Sequence, residues 1–536
     1  MVLFYDLFRY AMEDSMKGKP FTIYIFVFLL LLLILSEAGP VFPDPDSFYH
    51  AKMAMILRDQ GIIHTFPWFQ FTDFKNVFVN PHFLYHVLLI PFVTFFDPLV
   101  GMKISAVVFG FLTFFVLFRI LKAMHTPFPE WFTLAAIFSI NFFHRMTLPR
   151  APALAVALLL GLTWLLFSQK NRLFLFFGSV IFVWFYHGWP VLLLSVFAIF
   201  VAEVVASHLL FLGSFFQALH TAWQARKKDI FVVCGGLLLG LIFHPYFPQN
   251  IFFSVLDIFK IGIVNYQSIL PVGQEWYPMT FVDLILWNTS VFVPLALCFS
   301  LFLPGLFLSK TTQNKKDISI VFTFLFLAGG YILLTLKSNR YVEYAIPFII
   351  LTSASMAPFS KHFFEQELSP LIQTWISKKS WRKKTVVIML FLLVSIFAAD
   401  TIHMTLQKET YYSEAQYKPA TDWIRTHVPA GETVFHNSWD FSLILFYLDD
   451  THNYIVGLDP TFMYDFDPKA FRTWQDIAAG KGNIKDILSV FHARTIVVDT
   501  RLDDAKTFME QLDHSSLFTE VTKNEWIHVY HSTTSL

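Results

Sequence analysis

Long apolar stretches, each closed by a short polar or basic break, fill the chain from residue 21 to 401. They are 21–36, 82–97, 101–120, 131–143, 151–168, 172–187, 189–212, 230–246, 283–308, 318–336, 341–358 and 385–401. A spanning helix needs about 20 apolar residues, with roughly 17 as a working minimum. Most runs therefore read as spanning helices, and the shortest fall at or below the limit. After Thr401 the texture changes to mixed charged, aromatic and β-branched positions. Thr495-Ile496-Val497-Val498-Asp499 reads as a buried strand and Trp526-Ile527-His528-Val529-Tyr530 as another. Thr421-Asp422-Trp423-Ile424 opens a short helix that ends near Pro429-Ala430-Gly431. The pattern predicts a polytopic α-helical membrane domain over residues 1–401 and a soluble α/β domain over 402–536.

Composition agrees with a chain that faces lipid. Hydrophobic residues make up 55% of the 536 and charged residues 15%, against about 25% charged in a soluble domain. The 66 Phe suit lipid-facing helices. Formal net charge is zero, so no electrostatic footprint for nucleic acid exists. Cys234 and Cys298 both lie in apolar runs and offer neither a disulfide framework nor a Cys-rich zinc site.

Basic loops set the expected orientation. They are Lys17/Lys19, Lys170/Arg172, Arg226-Lys227-Lys228, Lys310/Lys315/Lys316, and Lys378-Lys379 with Arg382-Lys383-Lys384. Positive loops stay in the cytoplasm. Alternation back from residues 378–384 then keeps 82–97, with Pro91, His82 and His86, at the interface. This leaves about 11 spanning helices and puts the C-terminal domain outside. The alternative lets 82–97 cross and a short run such as 131–143 stop short. Ser36-Glu37-Ala38 loosely resembles a signal-peptide cleavage site, but the eleven further apolar runs favour an uncleaved first helix. The protein is expected in a bacterial or archaeal cell membrane.

With this topology the chemistry-bearing residues gather at the outer boundary. They are Asp44, Asp46, Tyr49, His50, His82, His86, His144, Arg145, Arg150, His187, His244, Glu275, Arg340, Glu343, Trp439 and Asp440. Polar groups close to the bilayer are costly and usually serve a site. Asp44 and Asp46 flank Pro45 just after the first helix. Carboxylates at i, i+2 on an extended turn can bind one divalent cation or supply a general base. Asp46 could instead cap a helix running from Ser47 to Gln60.

Asp44-Pro45-x-x-x-Tyr49-x-Ala51, after the first helix, resembles the acidic motif of the GT-C class of membrane glycosyltransferases. In particular it looks like the pattern of oligosaccharyltransferase catalytic subunits, and Asn80-Pro81-His82 sits where they have a Tyr-Pro-Gly-like turn. The fold implied is GT-C-like, with an extracytoplasmic α/β domain. Pro271-Val272-Gly273-Gln274-Glu275-Trp276 is similar to the loop whose Glu ligates metal or contacts the acceptor. Lys337-Ser338-Asn339-Arg340-Tyr341 resembles the stretch whose Arg contacts the donor phosphate, a role for which a planar guanidinium fork is suited. Glu343, three residues on, is expected to orient that fork. Snorkelling to the headgroups is the alternative for Arg340. Asn437-Ser438-Trp439-Asp440-Phe441 resembles the acceptor-recognising Trp-Trp-Asp motif with its first Trp missing. Trp439 and Asp440 alternatively anchor the outer domain.

The resemblance therefore implies catalytic residues Asp44, Asp46 and Glu275, donor-phosphate residues Arg340, Arg150 and His144, and acceptor residues Trp439 and Asp440. It also implies a divalent cation, Mg or Mn, shared by Asp44, Asp46 and Glu275 across one cavity. The second acidic pair of the family is absent: the chain reads His144-Arg145-Met146-Thr147-Leu148-Pro149-Arg150 there. A basic loop that neutralises phosphate without a cation, or His144 as a lone ligand, are the alternatives. The expected activity is transfer of a sugar or glycan from a polyprenyl-(pyro)phosphate donor to a protein, lipid or glycan acceptor outside the cytoplasm. The partners are thus a lipid-linked sugar donor, membrane lipid and that acceptor, and no nucleic acid. A transporter or a non-catalytic membrane assembly protein is the alternative; Glu203 is the main charge inside an apolar run.

Overall fold

The computed structural model describes residues 19–211, 214–308, 315–370, 380–407 and 411–533. Lys17, Lys310, Lys378 and Lys379, which entered the orientation argument, lie outside them. The chain divides into two compact units. The first comprises Met1–Ala38, Ala106–Leu241 and Glu275–Gln407; the second comprises Gly39–Ser105, Ile242–Gln274 and Lys408–Leu536. Residues 39–105 and 242–274 thus join the C-terminal segment rather than the helical remainder.

Apolar runs become helices because a backbone in hydrocarbon must satisfy its own hydrogen bonds. Among the described residues, four helices are long and apolar enough to cross a membrane: Pro98–Ala123, Val191–Leu209, Lys315–Lys337 and Asn339–Leu368. Two bent pairs raise the number to six if each is one span: Ile140–Thr147 with Pro152–Ser168, at 110°, and Phe281–Trp287 with Thr289–Pro304, at 98°. Phe21–Glu37, Phe83–Phe95, Arg172–Phe185 and Leu392–Leu406 are apolar but shorter. By length and composition this is fewer than the eleven expected. The run 131–143 breaks between Pro129–Ile137 and Ile140–Thr147, and 172–187 forms a helix of only 14 residues; 82–97, expected not to cross, forms one of 13. Side chains such as Tyr24, Leu333 and Phe216 are 69%, 70% and 79% exposed, an apolar surface that suits lipid rather than water.

Helix Val342–Phe363 is the axis of the first unit. It packs against Thr289–Leu308 and Lys315–Lys337. Ala345, Ser353, Ala354, Ser355 and Ala357 are buried along it, and small residues let helix backbones approach closely. Ser360 Oγ donates to the Cys298 carbonyl at 2.8 Å. One expected loop is instead helix. Arg226-Lys227-Lys228 lies inside the continuous helix Phe215–Ile242, which contains no proline to stop it.

In the second unit, two short strands, β1 (Val41–Phe42) and β2 (Tyr412–Ser413), pair antiparallel. A five-stranded mixed sheet has the order β4-β3-β5-β7-β6, with β3 Thr433–His436, β4 Asn453–Tyr454, β5 Ala493–Asp499, β6 Phe518–Lys523 and β7 Ile527–Ser532. The expected strands are β5 and β7, whose Ile496, Val497, Val498 and Val529 are fully buried. Each such side chain contributes about 1.5–3 kcal/mol relative to exposure, enough to fix the register of the central strand. The helix expected from Thr421 begins earlier, at Glu414, and ends at His427. Its start is a capping box between Ser413 and Gln416, a signal present in the sequence that the later Thr421 obscured. Lys52 pairs with Asp450 at 2.9 Å and Trp68 Nε1 donates to the Asp450 carbonyl at 2.7 Å, fastening residues 39–105 to this sheet layer.

Candidate functional site: a guanidinium cluster on one carboxylate

Three short irregular segments of the first unit carry the strongest concentration of buried charge. The first is the bend between Ile140–Thr147 and Pro152–Ser168. Leu148 precedes Pro149 and is extended, with φ −66° and ψ 132°, as a pre-proline residue must be when the ring excludes the helical region. Pro152 then opens the next helix, where its missing N–H costs nothing. The bend leaves Arg145 in the last turn of one helix and Arg150 just before the other.

The second segment is the 3-10 turn Gln274–Trp276 and the third is the 3-10 turn Asn339–Tyr341. They are tied together through the backbone. Ser338 Oγ donates to the Glu275 carbonyl at 3.0 Å, and the Asn339 N–H donates to the Tyr277 carbonyl at 2.8 Å. Helix Val342–Phe363 follows at once and carries Glu343 in its first turn.

These segments bring Arg145, Arg150 and Arg340 onto Glu275. Glu275 Oε2 accepts from Arg145 at 2.5 Å and from Arg150 at 3.5 Å. Glu275 Oε1 accepts from Arg340 at 3.0 Å and from Arg150 at 3.4 Å. Arg145 also grips Glu343 Oε2 through Nε at 3.1 Å and its terminal nitrogen at 2.7 Å. Glu343 is fully buried, whereas Glu275 keeps 17% of its side chain exposed. Arg340 lies 4.8 Å over the Trp276 ring and donates to the Tyr186 hydroxyl at 3.4 Å, which itself accepts from Tyr344 at 2.8 Å. Tyr186 packs so closely on Gly188 that a Cβ there would sit 2.2 Å from its ring, which requires glycine.

Burial alone would raise the Glu275 pKa. The guanidiniums of Arg150, Arg145 and Arg340 outweigh it and hold the carboxyl well below its usual range. His187 lies against Tyr186, with ring centroids 4.8 Å apart. His144 is exposed, one residue before Arg145.

Three of the expected site residues, Arg340, Arg150 and Glu275, are therefore brought together, and Arg145, expected only as part of the basic loop, joins them. Its signal was present: it lies five residues before Arg150, across a Leu-Pro break. Glu343 was expected to orient Arg340; it accepts from Arg145 instead, while Arg340 bonds Glu275. The donor set does not fit a cation at Glu275, since both of its oxygens already accept from cationic guanidiniums. Among the described residues no group of three or more His, Cys, Asp or Glu could hold a metal ion.

The remaining expected residues belong to the second unit. Asp44 Oδ1 accepts from the Ser47 N–H at 3.1 Å and from its hydroxyl at 3.3 Å. Asp44 thus secures the start of helix Asp46–Gln60, a role expected of Asp46, because Pro45 has already turned helical at φ −76° and ψ −17°. One turn along, His50 Nδ1 meets His86 Nε2 at 2.8 Å, and His86 Nδ1 meets Asn80 Oδ1 at 2.9 Å. Trp439 Nε1 donates to the Pro271 carbonyl at 2.9 Å. Asp440 accepts from Ser438 Oγ at 2.6 Å, the Phe441 N–H at 2.8 Å and the Tyr412 hydroxyl at 3.1 Å.

No family model matches the sequence, and no curated protein matches it. Solved structures do. AglB, an archaeal oligosaccharyltransferase from Archaeoglobus fulgidus in complex with an inhibitory peptide and a dolichol-phosphate, matches with TM-score 0.57 and 12% identity, over 90% of this chain and 70% of that one. ArnT from Cupriavidus metallidurans, bound to undecaprenyl phosphate, matches with TM-score 0.53 and 12% identity, over 96% and 98%. Arabinofuranosyltransferase AftD from Mycobacteria matches with TM-score 0.53 and 12% identity, over 97% of this chain but 40% of that one. At such identity the likeness is one of fold, and the fold is that of the GT-C class of membrane glycosyltransferases, resembling an oligosaccharyltransferase.

Proposed function

We propose that the chain is a membrane glycosyltransferase that takes a sugar or glycan from a polyprenyl-(pyro)phosphate donor and transfers it outside the cytoplasm. The observation that carries this reading is the convergence of Arg145, Arg150 and Arg340 on one carboxylate. Guanidiniums present planar forks of donors that suit phosphate oxygens, and a leaving phosphate needs its charge neutralised as the glycosidic bond breaks. The solved structures with this fold include one in complex with a dolichol-phosphate and one bound to undecaprenyl phosphate, which supports a lipid phosphate as the ligand.

In this reading Arg340, Arg150 and Arg145 bind the donor phosphate, and His144 lies at the edge of that group. Asp46 is the general base towards the acceptor, while Asp44 holds the turn that presents it. No step runs through a cation. The broader acceptor class, a hydroxyl of a lipid, glycan or protein, is favoured over asparagine. The polar atoms of Trp439 and Asp440 already serve Pro271, Ser438, Phe441 and Tyr412, which suits an anchoring role better than peptide recognition. Residues 402–536 lie outside the cytoplasm in this proposal, so a reporter active only in the cytoplasm and fused after Leu536 stays silent.

The test is transfer by purified, reconstituted protein supplied with a lipid-linked sugar. Asp46→Asn should abolish transfer while protein amount and lipid-phosphate binding stay unchanged. Full transfer by that variant would remove Asp46 from the chemistry. An assembly protein would tolerate the exchange in every readout.

A further inference from the structure

Glu275 and Glu343 face the same arginines in different ways. Glu343 is fully buried and is held through two nitrogens of Arg145. Glu275 is the more open, at 17% exposure, and it accepts from three different guanidiniums at distances from 2.5 to 3.5 Å. Two of those bonds, both from Arg150, are at the long limit of a hydrogen bond. A carboxylate has too small an oxygen span to satisfy three forks at once. A tetrahedral phosphate is larger and offers strong acceptors in more directions. The Glu275 backbone, meanwhile, is fixed by Ser338, so the side chain can swing aside without the turn coming apart.

We infer that Glu275 is a resident stand-in for the donor phosphate: it occupies the guanidinium cluster when the donor is absent and is displaced when the lipid phosphate binds. Glu343 stays behind and keeps Arg145 aimed. The exchange is one of hydrogen bonds only; no covalent bond forms or breaks. It keeps negative charge beside the guanidinium cluster between turnovers, since buried charge without enough compensation is costly in a low-dielectric site. It rests on the reading of this cluster as the donor-phosphate site. It departs from a Glu that ligates metal, which would strengthen donor binding rather than compete with it.

The experiment measures binding of farnesyl phosphate, as a short polyprenyl phosphate, to the full-length purified chain in chelator and in added Mn²⁺. Removing the competitor should tighten binding, so Glu275→Gln should bind about tenfold more tightly, equivalent to about 1.4 kcal/mol of relieved competition. Glu275→Asp, which keeps the charge for folding but shortens the reach, should fall between Gln and the native chain. Mn²⁺ should leave this order unchanged. Weaker or equal binding by both variants, or tightening that appears only with Mn²⁺, overturns the stand-in role. Arg340→Gln separates the donor site from the stand-in role. Binding that needs Arg340 but is not tightened by Glu275→Gln leaves the donor site standing and removes the stand-in. Binding indifferent to Arg340 removes both.

Discussion

Two buried ionic clusters within the first unit look alike in composition and differ in how their hydrogen bonds end. In the first, Glu203 Oε1 accepts from Arg226, with Nε at 3.1 Å and a second, shorter contact from a terminal nitrogen. Lys315 reaches Glu203 Oε2 at 3.3 Å. The remaining Arg226 donors end on the main-chain carbonyls of Leu166 and Phe167, at 3.1 and 3.0 Å. In the second, Arg145, Arg150 and Arg340 end on the side chains of Glu275 and Glu343 and on the Tyr186 hydroxyl. Main-chain carbonyls of a helix end cannot leave, so the first cluster is a joint between helices. A side-chain carboxylate can be exchanged for another anion, so the second is suited to a ligand. The comparison also gives Glu203, the main charge expected to mark a transport path, a fixed structural partner set.

The largest effect is expected where the joint is broken. Glu203→Gln leaves Arg226 and Lys315 without their counter-ion, and losing one partner of a buried pair costs about 3–5 kcal/mol. Thermal unfolding in detergent should fall markedly, while lipid-phosphate binding by the folded fraction stays native. A loss of binding there would mean the two clusters are coupled and the contrast is false.

Arg340→Lys tests the other side. Snorkelling makes this exchange nearly silent, since Lys snorkels as well as Arg. Phosphate recognition makes it costly, since an ammonium has no planar fork and does not stack on Trp276 in the same way. Donor binding should weaken about tenfold, or about 1.4 kcal/mol, with the unfolding midpoint little changed. An unaffected binding curve would make Arg340 a membrane anchor.

Trp439→Phe should be milder. It removes the indole N–H on the Pro271 carbonyl, worth about 1 kcal/mol, together with part of the ring. Unfolding should shift slightly and transfer should persist. A complete loss of transfer with intact folding would restore Trp439 to direct acceptor recognition.

The smallest effect concerns pH. Glu275 is held well below the usual carboxylate range by its three arginines. A depressed carboxyl contributes stability above its unfolded pKa, near 4.5, and loses it only as pH falls through the lower folded value. Glu275 should thus add no step to stability between about pH 6 and 8, where an ordinary carboxylate is already ionised. A Glu275-dependent transition in that window, absent from Glu275→Gln, would mean that the arginines do not grip it as the structure shows.

Arg340, Arg150 and Glu275, which meet in the structure, drew notice in the sequence because charge at the margin of an apolar run is rare, and their expected roles came from the family resemblance. Reading the sequence placed Arg145 in the basic loop without a role of its own, since its partner Glu343 lies 198 residues away, and paired Glu343 with Arg340. Local spacing brings Glu343 and Arg340 close along the chain, but it cannot register a guanidinium that arrives from a distant segment. The apolar runs and their chemistry-bearing edges were thus set by composition and periodicity alone, as were the two strands β5 and β7, whose β-branched residues need a buried sheet. Breaks within runs, the capture of residues 39–105 and 242–274 by the second unit, and the choice of which guanidinium meets which carboxylate were decided only in three dimensions. Those outcomes depend on long-range packing and on the need of each buried charge for a partner, and neither leaves a local trace in the order of residues.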